Sequence, residues 1–167
     1  MRRQLTPNEL DNLFRSIGRN IWYIQYLEDL LHTLLTLKIE IKKPGQVTKD
    51  EARKLLEKHR RATLGTALQV AEKNKALADD ILQGLRRLKE DRDWMVHRSM
   101  HQDGDLLYTT EGRNSLFMRL EQIMEKTRLL KVQVYAEITA FCSSHGISTV
   151  AAESIARQRI DKLKGEG

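Results

Sequence analysis

Five ionisable side chains crowd the stretch RDWMVHRSMH: Arg92, Asp93, His97, Arg98 and His101. Asp93, His97 and His101 recur every four residues, so on a helix they line one polar stripe. A carboxylate one turn before an imidazole can orient and charge it for proton transfer near neutral pH. Two histidines at this spacing with a carboxylate also suit a divalent cation such as zinc. The residue after His97 is Arg98, however, where a zinc-protease helix has glutamate, and its charge opposes a cation. No metal ligand and no cofactor is assigned, and a His/Asp metal-binding protein stands as an alternative. Arg92 poses a different problem. At about 100° per residue it falls among Leu85, Leu88, Met95 and Val96, in the middle of an apolar stripe. A guanidinium cannot be deprotonated, and when desolvated it needs hydrogen-bond partners. Its position suggests an internal carboxylate or a site for an anionic ligand, the alternative being a stem that covers the core while the head reaches solvent or pairs with a carboxylate on another helix.

The elements that must position these residues read as helices. Thr6-Pro7-Asn8-Glu9 is a capping box with proline at the first helical position. It opens a helix whose seam, Leu10, Ile17, Ile24 and Leu31 with Leu13, Leu27 and Leu34, runs to about Lys38. Asn20 interrupts that seam and is expected to face solvent through a small rotation. Trp22, Tyr23 and Tyr26 could stack bases or form an interface, and are expected to pack. After Pro44-Gly45, Thr48 to Glu51 caps a short helix containing Leu55 and Leu56. A third, ATLGTALQVAEK, contains Gly65, which costs about 1 kcal/mol against alanine and so marks a close helix contact or a backbone requirement.

The fourth helix is expected from about Lys75 to Met100, burying Leu77, Ile81, Leu85, Leu88 and Met95 or Val96. HQDGDLLYTT reads as a loop. A long helix follows from Thr110 to Ser144, stopped by Gly146, and a last one from Thr149 to Leu163, with Ala152, Ile155 and Ile160, precedes the polar tail KGEG. The expected fold is all-α: one domain over residues 1–167, an up-down bundle of about five to six helices, two of them long.

With 167 residues and 40% hydrophobic content, one core is expected. Cys142 is the single cysteine, which excludes an intrachain disulfide and a cysteine zinc cluster. No stretch approaches the roughly 18 apolar residues of a membrane span, so a cytoplasmic protein without membrane contact is expected. The net charge of +6 fits a phosphate-bearing partner, and Lys58, Arg60 and Arg61 form a basic run that could line an RNA path with Arg98 and His101. Phosphate-loop, nucleophile-elbow and kinase signatures are absent from the sequence.

The segment Leu88 to His101 resembles the signature of HEPN domains, α-helical bundles of prokaryotic toxins and antiviral systems, in which an arginine is followed by a polar residue, further variable residues and a histidine. Here the pattern reads Arg92, Asp93, Trp94, Met95, Val96, His97, with Asp93 where asparagine is common. LKED before it and TLG at Thr63 to Gly65 are similar to segments of the family, and the likeness in helix order covers roughly residues 7 to 144. The resemblance implies a homodimer whose motif helices meet across a cleft and act as a metal-independent ribonuclease, His97 moving protons and Arg92 stabilising phosphoryl charge. It also implies an antitoxin or defence-system partner protein. A catalytically inactive helical dimer that binds RNA or a protein is the competing reading. Five residues of regular helix leave Arg92 and His97 about 140° apart, so they converge only across two protomers or on a distorted helix.

Overall fold

The computed structural model describes residues 2–165, with the side chains of 151, 152, 155 and 159 excepted. The side chains of Ala152 and Ile155 and the last two residues of the KGEG tail therefore lie outside the described residues.

Helix α1 spans Pro7–Leu35, and its capping box is formed in both directions: Glu9 N donates to Thr6 Oγ1 at 3.3 Å, and Thr6 N donates to the Glu9 carboxylate at 2.8 Å. The helix continues as a π-helix over Thr36–Ile41, ended by Lys42 at φ 58°. The same reciprocal cap, Thr48 with Glu51, opens α2, Lys49–Arg60. Thr63 caps α3, Leu64–Lys73. α4 covers Asp79–Asp93, beginning later than the expected Lys75, because Lys75 itself turns the chain at φ 49°. A second π-helical turn, Trp94–Arg98, leads into the short α5, Ser99–Asp103, and a 3-10 segment, Gly104–Tyr108. α6 spans Thr110–Ser144 and α7 Thr149–Lys164, separated by Gly146 at φ 69°. Among the described residues there is no strand.

Cross-helix contacts fix the directions. Asp29 meets Arg60 and Glu40 meets Lys58, so α2 runs back along α1. Arg86 pairs with Glu72 and Lys89 approaches Gly65, so α3 and α4 form an antiparallel hairpin. Asp91 pairs with Lys126, and Leu130 covers Gly84, which sets α6 antiparallel to α4. α6 consequently runs parallel to α1, with Asn20 at the level of Leu120 and Lys38 at that of Glu137. The up-down bundle has α1, α3, α4 and α6 around one core, α2 on the flank of α1, and α7 tied to α6 by Tyr135 and Glu153.

The core is leucine-rich: Leu27, Leu31, Leu34, Leu85, Leu88 and Leu120 are all buried, each contributing about 1.5–3 kcal/mol by leaving water. Met95 takes the inward place and Val96 is exposed, and Leu10, expected on the seam, is exposed as well. Two further expectations are corrected here. Asn20 is buried, not solvent-facing, and its Nδ2 donates to Ser16 O at 3.0 Å and Leu120 O at 3.2 Å, tying α1 to α6. HQDGDLLYTT is helical through Tyr108, because Asp103 accepts the Trp94 indole, Leu107 packs on the core and Arg113 donates to Leu107 O. The close approach at Gly65 is to Lys89, whose Cε lies 3.0 Å from where a β-carbon would stand.

Candidate functional site

The site grows from the π turn at Trp94–Arg98. Ser99 N donates to Trp94 O, an i→i+5 bond that accommodates one more residue than an α-helical turn. Successive side chains Trp94 and Met95 both enter the core there. Trp94 Nε1 donates to Asp103 at 2.7 Å, and the Arg119 guanidinium lies 3.5 Å over the indole centroid. Behind the turn is an apolar cavity of about 170 Å³ lined by Leu13, Ile17, Trp94, Met95, Leu116 and Leu120, among others. Three of the five steps from Arg92 to His97 lie in this wider turn, where each residue advances less than the α-helical value of about 100°, so the mismatch of about 140° between them is reduced. The distortion of the helix thus lies between the two residues.

Arg92 is half-buried and faces α1. Its Nε lies 3.3 Å from Glu28 Oε1, and its Nη1 lies 3.5 Å from Asp93 Oδ1. The contact with Glu28 is an ion pair without an aligned hydrogen bond, since Oε1 is buried and accepts none. Burial pushes the Glu28 carboxyl above its ordinary range, and the Arg92 charge opposes that shift. Asp93 is held below the usual carboxylate range first by its hydrogen bond from Lys89, at 2.6 Å, and further by the charges of Lys89, Arg92 and His97. Asp93 thus gives its short contact to Lys89; His97 is close enough to contribute charge, but no hydrogen bond joins the two.

His97, Arg98 and His101 are all exposed, and Arg98 makes only a long 3.5 Å contact with Glu90 O. Among the described residues no three His, Cys, Asp or Glu side chains are arranged to hold a metal ion. The basic run is divided. Arg60 is engaged by Asp29 at 2.7 Å and Glu57 at 2.9 Å, and both bonds strengthen its protonation. Lys58, 3.5 Å from Glu40, and Arg61 instead line one surface pocket with Arg53, Lys54 and Glu57.

Glu28, Lys89 and His32 are the members of this region that the sequence did not disclose. The available signal for Glu28 was a carboxylate directly after the seam residue Leu27. His32, one turn beyond Glu28, is buried with no partner on Nε2, and burial lowers its pKa. What defines the site is a half-buried guanidinium, an exposed imidazole and two carboxylates at a wide helical turn. No family model, curated protein or solved structure matches the chain. Among the described residues no helix is long and apolar enough to cross a membrane.

Proposed function

We propose that the chain is a metal-independent endoribonuclease of the HEPN type, working as a homodimer in a toxin or antiviral defence context with an antitoxin or other partner protein. The supporting observation is the π turn at Trp94–Arg98, which winds Arg92 and His97 toward one face of a helix that would otherwise hold them apart. In this reading the RNA 2′-hydroxyl loses its proton and attacks the adjacent phosphorus. A bond to the 2′-oxygen forms, the bond to the 5′-oxygen breaks, and a 2′,3′-cyclic phosphate remains. His97 is exposed to exchange the proton, and Arg92 offsets charge growing on the phosphoryl oxygens. Val96 and Met100, exposed one turn apart beside His97, supply apolar surface for a second copy, which brings a second Arg92 and His97 to the axis.

A catalytically silent dimer that binds RNA or a protein is the second reading. It is favoured by Glu28 and Asp93, which already occupy the Arg92 guanidinium. Cleavage of single-stranded RNA without added metal, analysed for cyclic-phosphate ends, decides between them. His97→Ala and Arg92→Ala are each expected to lower the rate about 10²–10⁴-fold with the fold intact. Undiminished cleavage by His97→Ala overturns the assignment, and a folded wild type that cuts no RNA leaves the silent dimer.

A further inference from the structure

Three aromatic side chains stand on the outer side of α1. Trp22 is 69% exposed and Tyr26 60% exposed, with Tyr23 half-buried between them. Trp22 and Tyr26 do not pack, contrary to expectation, and Tyr23 does so only in part. Lys131 of α6 reaches across, its Nζ 6.0 Å from the Tyr23 ring centroid and 5.8 Å from that of Tyr26, and the four side chains line one surface pocket. Large apolar rings left in water are the informative exception on a protein surface.

The charges around the rings are selective. Arg15 and Arg19 lie on the same stripe of α1 as Trp22 and Tyr26, at three- and four-residue steps. Arg15 is tied to Asp11 at 3.0 Å, Asp29 at the far end of the stripe is tied to Arg60 at 2.7 Å, and Glu125 of α6 is tied to Arg128. Among the described residues no carboxylate lies within ion-pair distance of Arg19 or Lys131. The carboxylates of Asp11, Asp29 and Glu125 are therefore compensated, while Arg19 and Lys131 flank the rings.

An occupant that matches this surface has flat apolar faces and anionic groups between them. We propose that Trp22 and Tyr26, with Tyr23 beside them, form a stacking platform for single-stranded RNA, with Arg19 and Lys131 on its phosphates. The rings of Trp22 and Tyr26 spring from β-carbons about 5–6 Å apart, wider than stacked bases, so each takes one base of an opened strand. A duplex keeps its base faces covered and meets only the cations. The platform lies apart from Arg92: Glu28, which faces that arginine, is about 200° around α1 from Tyr26. It acts as a holding site, and the choice of RNA over DNA rests on the ribonuclease reading, whereas the preference for single strands does not.

The full chain contains two tryptophans, and Trp94 is only 3% exposed, so emission quenched from solvent belongs to Trp22. An oligouridylate of about 12 nucleotides is expected to quench that emission. Trp22→Ala weakens binding about tenfold, read by anisotropy of the labelled strand. Arg19→Ala and Lys131→Ala each reduce the slope of log K against log salt by about 0.7. The platform variants are compared in a His97→Ala background that does not cut the strand, so binding is read without cleavage, and failure of the nuclease reading and failure of the platform are separated. Equal affinity for a duplex, or unchanged affinity in Trp22→Ala, overturns the platform. Equal affinity for the matching deoxyribose strand overturns the assignment to RNA. Quenching of Trp22 by rising protein concentration alone assigns the face to a second copy instead.

Discussion

Arg92 and Glu28 meet across the bundle, Nε to Oε1 at 3.3 Å, and the carboxylate is the more buried of the two. The guanidinium has found an internal acid, yet it retains enough exposure to meet an anion from outside. Its orientation is set jointly by α1 and by the π turn that follows it.

Burial raises the Glu28 pKa in the folded state, so folding favours its protonated form. That contribution is complete below the ordinary value of 4.5 and is lost as pH rises through the folded value. Glu28→Gln keeps the shape and removes the charge. The stability of the variant relative to wild type is expected to rise as pH is taken from about 4 to about 7, measured by urea denaturation. A difference independent of pH refutes the buried-acid account.

His32 has the opposite sense. Burial lowers its pKa below 6.5, with the charges of His59 and Arg60 adding to the shift and Asp29 opposing it. Stability is therefore present above pH 6.5 and lost as pH falls through the folded value. Calorimetry across that range should show a thermal midpoint that declines on acidification in wild type and declines less in His32→Leu.

Asn20 donates to two carbonyls from a buried position. Asn20→Asp replaces the donor by a carboxylate facing those oxygens, and is expected to lower stability by about 2–4 kcal/mol near neutral pH. The deficit shrinks on acidification, when the acid regains a proton to donate. Urea midpoints at two pH values measure both effects.

Two glycines give alanine variants of opposite sign. A β-carbon on Gly112 would stand 2.3 Å from Leu106 O and 2.8 Å from Leu106 Cα, backbone that cannot retreat, so Gly112→Ala lowers stability by about 2–3 kcal/mol. Gly18, exposed within α1, has nothing within 4 Å of that position, and Gly18→Ala raises stability by about 0.5–1 kcal/mol. Thermal midpoints moving in the same direction contradict this.

The local rules were legible. Thr6 with Glu9 and Thr48 with Glu51 announced two helix starts, and the leucine periodicity gave the core-facing stripes of α1, α4 and α6. What stayed hidden depends on residues distant in sequence. Asn20 looked like a solvent-facing lapse until Leu120 O came beside it, and Asp-Gly-Asp looked like a loop until Trp94 claimed Asp103. Arg92 was correctly read as an inward charge, but its partner sits on another helix, and no spacing rule selects Glu28 from the other carboxylates. The π turn leaves no periodic trace, because the apolar positions around it satisfy an α-helical stripe almost as well.

The parallel pairing of α1 with α6 has a consequence for biosynthesis. Asn20 meets a residue 100 positions later and Lys38 one 99 positions later. At about 5–20 residues per second, a ribosome adds that length in roughly 5–20 s. During that interval the leucine seam of α1 has α2, α3 and later α4 to lean on, while the side reserved for α6 stays wet. Folding is gated by the arrival of the last long helix, so this bundle closes later than one built only from consecutive hairpins, and its nascent chain offers an apolar stripe to chaperones until then.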